Sequence, residues 1–169
     1  HSDLRRQRQM CIRDRHYDDH HFPLETNDVI TAWIPAQYIP IEMGPLTFAK
    51  PLEVYKLVKD IKFNEYDTSY DRKIKKVFKN NHVSIVEEPF ELGEVSFHHN
   101  LSFHSASENK TTQSRIVLAN TYFADGARVV NNPTMISGDW KKFIPETNPG
   151  EIVASNLNPI CWPVENEIK

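Results

Sequence analysis

The sequence has little from which to build a covalent framework. Its 169 residues hold two cysteines, Cys11 and Cys161, far apart and without a C-x-x-C spacing. A pair so placed is no disulfide scaffold, and a reducing, cytoplasmic setting is the simpler expectation. Long apolar runs are also missing: none approaches the roughly 18 residues that suggest a membrane span. The first residues carry no apolar segment of the secretory type, and the closing Asn-Glu-Ile-Lys is neither a peroxisomal nor an ER-retention address. A large charge of one sign is absent too. The formal net charge of -3 implies no general affinity for nucleic acid or anionic membranes. Glycine is scarce, with 5 residues against 11 prolines, which favours stiff connections.

What is present is the material of one soluble globular domain. The chain is 39% hydrophobic and 25% charged, with nine Phe, six Tyr and three Trp. Its length allows a single sizeable core. Residues 1–15 stand apart: five Arg and no hydrophobic period. QRQMCIRDR resembles a spurious translation found at the ends of assembled sequences. Residues 1–15 are therefore treated as a non-domain tail, with the domain spanning 16–169.

From residue 22 onward the pattern is one of short strands. Residues 28–34 are β-branched and aromatic and stop at Pro35. Further strands are expected at 46–49, 82–87, 94–98 and 115–123, a spacing that suggests a β-sandwich or barrel. Residues 50–81 interrupt this pattern as a helical insertion. Tyr70, Ile74, Val77 and Phe78 form one apolar stripe at helical spacing. Ser69 or Asp71 could cap the start and Asn80-Asn81 the end. The insertion has eight Lys and one Arg against five acidic residues between 50 and 79. A solvated helix face explains these charges; a lid that attracts an anionic substrate is the other possibility. Residues 131–169, rich in Asn and Pro, are expected as a covering tail. Met135, Trp140, Phe143 and Trp162 are either lid anchors or ordinary packing.

The histidines carry the chemistry. Apart from His1 and His82 they form two groups: His16, His20 and His21, then His98, His99 and His104. His16-Tyr17-Asp18 reads H-x-D. On an extended strand, i and i+2 face the same side, so an imidazole and a carboxylate would address one point. With a later His, such a pair makes a 2-His-1-carboxylate facial triad, which suits Fe(II) and leaves positions open. Arg115 follows His104 by eleven residues and opens a strand. An Arg there can reach into the same cavity and clamp a carboxylate bidentately, as a 2-oxoacid requires.

These motifs occur in an ordered set. H-x-D at 16–18 precedes F-P-L, then T-A-W-I-P at 31–35, G-P-L at 44–46 and G-E-V-S-F at 93–97. H-S-A-S-x-N follows at 104–109, then Arg115, then N-L-N-P at 156–159. In this order, from residue 16 to about 162, the sequence resembles the phytanoyl-CoA dioxygenase family of Fe(II)/2-oxoglutarate-dependent oxygenases. The resemblance implies a mostly β fold, the double-stranded β-helix or jelly roll. It implies iron ligation by His16, Asp18 and His104, and binding of the 2-oxoglutarate 5-carboxylate by Arg115. Trp33 aligns with a residue that lines the co-substrate pocket, and Ala106 with one that often contacts the co-substrate. Tyr17 stands where the family often has Gln. The implied reaction consumes O₂, decarboxylates 2-oxoglutarate to succinate and hydroxylates a C–H bond of a small organic substrate. Asp18 argues against halogenation, which needs a small residue in place of the carboxylate.

The sequence departs from the family at its beginning. Family members have a substantial segment before H-x-D, so this chain is expected to be truncated at its N-terminus. Arg15 stands where a large residue such as Trp is usual. Asp19 is expected to face away from Asp18. His20 and His21 are expected at the cavity mouth: Phe22-Pro23-Leu24 opposes the helix that would align His16 with His20. His98 and His99 are expected as an exposed loop pair, with substrate contact by one of them as the alternative. An inactive truncated jelly-roll fragment, acting as a binding or structural module, is the competing expectation from outside enzymology. A metal enzyme without 2-oxoglutarate would leave Arg115 without a role.

Overall fold

The computed structural model describes residues 15–20, 22–61, 69–133 and 139–162, with the His20 side chain excepted. Six strands and two helices follow in chain order: β1 Val29–Pro35, β2 Leu46–Lys50, α1 Val54–Val58, α2 Ser69–Asn80, β3 Ser84–Glu87, β4 Ser96–His99, β5 His104–Ala106 and β6 Val117–Phe123. They make two three-stranded antiparallel sheets, ordered β4-β1-β6 and β3-β2-β5. The architecture is mostly β and consistent with a jelly roll. Neither helix is long or apolar enough to cross a membrane.

Alternation along β1 explains how the sheets face each other. Val29, Thr31, Trp33 and Pro35 share one face, and all are buried. Trp33 packs with Ile39, Met43 and Leu46, with Phe48 and Phe90 alongside. Leu46 and Phe48 come from β2, so this cluster is the seam between the sheets. The opposite face of the first sheet carries Ile30, Phe97 and Leu118, at 41%, 64% and 54% exposure. That is an apolar sheet face without a covering layer among the described residues.

The turn before β2 depends on Gly44. Its φ is +72°, and a Cβ there would lie 2.1 Å from the Ser107 carbonyl oxygen. Only glycine permits both the left-handed backbone and that approach. Pro45 and Leu46 then lead straight into the β2–β5 pairing, with Leu46 opposite Ala106 and Phe48 opposite His104.

The expected helical insertion is two helices, α1 and α2; residues 62–68 between them lie outside the described residues. The stripe reads as expected: Tyr70, Ile74 and Phe78 are buried on one face of α2, and Val77 is partly buried beside them. The Asn81 amide donates to the Val77 carbonyl at 2.9 Å and closes the helix. The stripe's partners were not legible in the sequence. It packs with Val54, Val58, Ala49, Tyr17 and Phe103. Strand β5 is also absent from the expected set, because three residues are too short to show a period.

Arg15, counted with the tail, pairs with Asp71 of α2. The rest of the tail lies outside the described residues, as do His21 and Met135. Farther along the chain, Ile144 and Val153 pack on Leu24, Val29 and Val129, with Trp140 at the margin. Phe143 and Trp162 are exposed instead.

Candidate metal centre

His16 and His104 are joined through the main chain. His16 N–H donates to the His104 carbonyl at 3.0 Å, and His104 N–H to the His16 carbonyl at 2.8 Å. His16 therefore extends the second sheet by one residue beyond β5. Expected strand geometry does not continue through the H-x-D segment: Asp18 already begins a 3-10 turn, Asp18–His20. The two side chains still converge, because the bridge sets His16 and the turn swings Asp18 back toward it. Asn100 secures the turn. Its carbonyl accepts from Asp19 N–H at 3.2 Å, and its amide donates to the Asp19 carboxylate at 3.3 Å. Asp19 thus points to Asn100, away from the cluster.

Asp18 Oδ1 lies 3.4 Å from His16 Nε2 and 3.5 Å from His104 Nε2. The three ligand atoms all fall within 4.8 Å of one another. Adjacent ligands at right angles, each about 2.1 Å from a metal, lie about 3 Å apart, so the spacing suits one ion. The donor set suits it as well. His104 Nδ1 is 2.9 Å from the Ser102 carbonyl. Donation there places the proton on Nδ1 and leaves the Nε2 lone pair for a metal.

The charge states agree with this use. Burial raises the Asp18 carboxyl, but contacts with His16 and His98 and the neighbouring His104 outweigh it and hold Asp18 well below the usual carboxylate range. Burial, followed by the neighbouring His16, pushes His104 down to about 3. At neutral pH the centre thus holds an ionised carboxylate beside a neutral His104 imidazole, as metal ligation requires.

Tyr17 is buried on the helix side, its ring 6.3 Å from Tyr55 and 6.4 Å from Phe103. Its phenol is pushed up to about 12, first by burial and then by Asp19 and Asp60. Trp33 sits in the seam, 4.9 Å from Phe90. Ala106 shares the His104 face of β5, two residues on. Arg115, half-buried, precedes β6. Its Nη1 donates to the carbonyls of Met43 (3.3 Å), Gly44 and Ser107 (3.5 Å). Among the described residues no carboxylate pairs with Arg115.

His98 corrects the expectation of an exposed loop pair. It lies on β4, 6% exposed, with Nε2 3.6 Å from Asp18 Oδ2. His99, on the other face, accepts from Leu101 N–H at 3.1 Å. Sequence reasoning also missed Thr31, whose hydroxyl donates to Asp18 Oδ2 at 3.0 Å, and Thr121, whose hydroxyl lies 3.0 Å from that of Thr31. Thr31 shares the inward phase of Trp33, a signal that was available in the alternation.

No protein-family model and no curated protein matches the sequence. Solved structures do. One is SnoK, a non-heme alpha-ketoglutarate-dependent carbocyclase from nogalamycin biosynthesis, at a TM-score of 0.61 and 21% identity over 84% of this chain and 53% of that one. Another is SnoN, a non-heme alpha-ketoglutarate-dependent epimerase from the same biosynthesis, at 0.61 and 22% over 85% and 52%. A complex of SnoN with Fe3+, alpha ketoglutarate and nogalamycin RO matches at 0.60 and 23% over 85% and 55%. The likeness is one of fold, and the chain spans about half the length of these proteins.

Proposed function

We propose that this chain carries the metal-binding core of an Fe(II)- and 2-oxoglutarate-dependent oxygenase of the phytanoyl-CoA dioxygenase type, acting on a small organic molecule. The observation that carries the proposal is the convergence of His16 Nε2, Asp18 Oδ1 and His104 Nε2. When bound there, Fe(II) supplies, with 2-oxoglutarate and O₂, the oxidising chemistry for hydroxylating a substrate C–H bond as 2-oxoglutarate becomes succinate. Of the fold neighbours, SnoK is a non-heme alpha-ketoglutarate-dependent carbocyclase and SnoN a non-heme alpha-ketoglutarate-dependent epimerase.

The chain's own groups divide the work. His16, Asp18 and His104 would hold the metal. Arg115, anchored on three carbonyls through Nη1, offers the rest of its guanidinium to the remote carboxylate of 2-oxoglutarate. Trp33 and Ala106 are assigned to the lining of the co-substrate pocket, Trp33 from the inward face of the first sheet and Ala106 from the His104 face of the second. Tyr17 acts from behind, where its packing on Tyr55 and Phe103 holds the backbone between two ligands. The seam of Trp33, Met43 and Leu46 keeps water from that side.

The test is anaerobic addition of Fe(II) and 2-oxoglutarate to the folded protein. The chelate gives a weak visible charge-transfer band, and O₂ then yields succinate. A second reading is favoured by the bare apolar sheet face: a non-catalytic jelly-roll module that docks on another polypeptide. A folded sample that gives no band would support the module over the enzyme.

A further inference from the structure

We infer that His98 is a positioning residue for the metal-binding carboxylate: with Thr31 it holds Asp18 Oδ2, and so dedicates Oδ1 to the point shared by His16 and His104. This rests on the proposed metal centre and adds a third histidine to it in a different role.

The two oxygens of Asp18 face different groups. Oδ1 looks toward His16 Nε2 and His104 Nε2, at 3.4 and 3.5 Å. Oδ2 looks toward Thr31 Oγ1 at 3.0 Å and His98 Nε2 at 3.6 Å. The groups on Oδ2 form a single row across the first sheet. Thr31 is the cross-strand partner of His98 on one side and of Thr121 on the other. Thr121 backs the Thr31 hydroxyl at 3.0 Å. Two strands thus reach one carboxylate oxygen and a third backs them, and sheet register keeps the row aligned.

His98 is built for holding rather than for solvent. Its side chain is 4% exposed. The ring lies against Phe48 at 5.4 Å and His104 at 4.7 Å between centroids. Its Nδ1 is buried and has no hydrogen-bond partner among the described residues. A ring with one nitrogen against a carboxylate oxygen and the other unpartnered is best served by carrying its proton on Nε2, as donor to Oδ2. His98 does not stand in as a ligand, since its Nε2 faces the oxygen turned away from the other two histidines. A bare carboxylate can chelate through both oxygens; one whose second oxygen accepts from the Thr31 hydroxyl, with the His98 ring 3.6 Å away, binds through the first.

Co(II) serves as the probe, followed by titration calorimetry and by its visible ligand-field spectrum. His98→Leu fills the space without a donor and should weaken Co(II) binding by about 10–100-fold and change the spectrum. His98→Gln returns an N–H donor at similar reach and should recover both within a few-fold. Wild-type affinity and spectrum in His98→Leu would overturn the role of His98, as would a Gln variant no better than Leu. A wild-type protein that takes up no Co(II) overturns the metal centre itself, a separate outcome. Should the Leu variant fail to fold, long-range ¹H–¹⁵N correlation on the Zn(II)-loaded wild type decides. A protonated, unmetallated His98 Nε2 is expected; a metallated nitrogen or a proton on Nδ1 would sink the inference.

Discussion

His16 and His104 exchange both of their main-chain hydrogen bonds, and their rings meet edge to face at 4.4 Å between centroids. Two candidate ligands distant in sequence are thereby set by one backbone bridge. Their relative position depends on sheet pairing, not on side-chain reach. Asp18, two residues on, is then placed by a turn that Asn100 holds.

The carboxylate is the group whose removal should be felt most. Asp18→Ala takes away the only anionic group of the metal cluster and leaves three histidines crowded together. Co(II) or Fe(II) affinity should fall by more than the loss expected for a supporting residue, on the order of 100-fold or greater. Calorimetry on the folded variant checks this; retained affinity would place the ion elsewhere.

Arg115→Ala should weaken 2-oxoglutarate and spare the metal. A charge-assisted hydrogen bond contributes about 1.5–3 kcal/mol, roughly a 10–100-fold change in co-substrate affinity. Titration of the visible band against 2-oxoglutarate reads one quantity, and Co(II) calorimetry reads the other. An equal loss in both would mean that Arg115 works only by holding the Met43–Gly44 carbonyls.

Gly44→Ala should destabilise the fold directly. A positive φ costs an alanine about 1–2 kcal/mol, and the added methyl meets the Ser107 carbonyl. Urea unfolding should show a lowered midpoint with an unchanged slope. A midpoint equal to that of the wild type would contradict the packing of the turn on Ser107.

Ile74→Ala tests whether the helices support the centre from behind. Ile74 is fully buried in the cluster that contains Tyr17 and Phe103, and truncation should cost about 2–5 kcal/mol. Because Tyr17 lies between His16 and Asp18 and Phe103 precedes His104, metal affinity should fall along with stability. Lost stability with unchanged metal binding would separate the helices from the site.

Acid should unfold the metal-free protein through His104. The unfolded ring takes up a proton near 6.5, whereas the buried ring resists until about 3. Between those values the unfolded chain binds more protons, so stability falls as pH drops through this window. Asp18 acts in the same direction at lower pH: its depressed carboxyl contributes stability above about 3.8 that is lost below it. Melting temperature should therefore decline from pH 7 toward pH 4, and His104→Gln should flatten that decline.

Local pattern in the sequence was enough to locate β1, β2 and β6 within one or two residues, and the apolar stripe of α2. The H-x-D spacing drew attention to His16 and Asp18, and the family resemblance added His104 as the third candidate ligand. The alternation of β1 even held the clue to Thr31. His98 was different. Its burial comes from Phe48 on the other sheet and its partner oxygen from a turn before β1, and neither leaves a mark near residue 98. The helices likewise showed their own apolar face but not what it would cover.

The sequence by itself determined which elements form and which side chains are chemically able to hold a metal, since backbone periodicity and ligand chemistry are local properties. Only the tertiary structure decided how those groups are shared out: one oxygen of Asp18 for His16 and His104, the other for Thr31 and His98. That division arises from strand register and from a turn pinned by Asn100, and register relates residues that no local pattern connects.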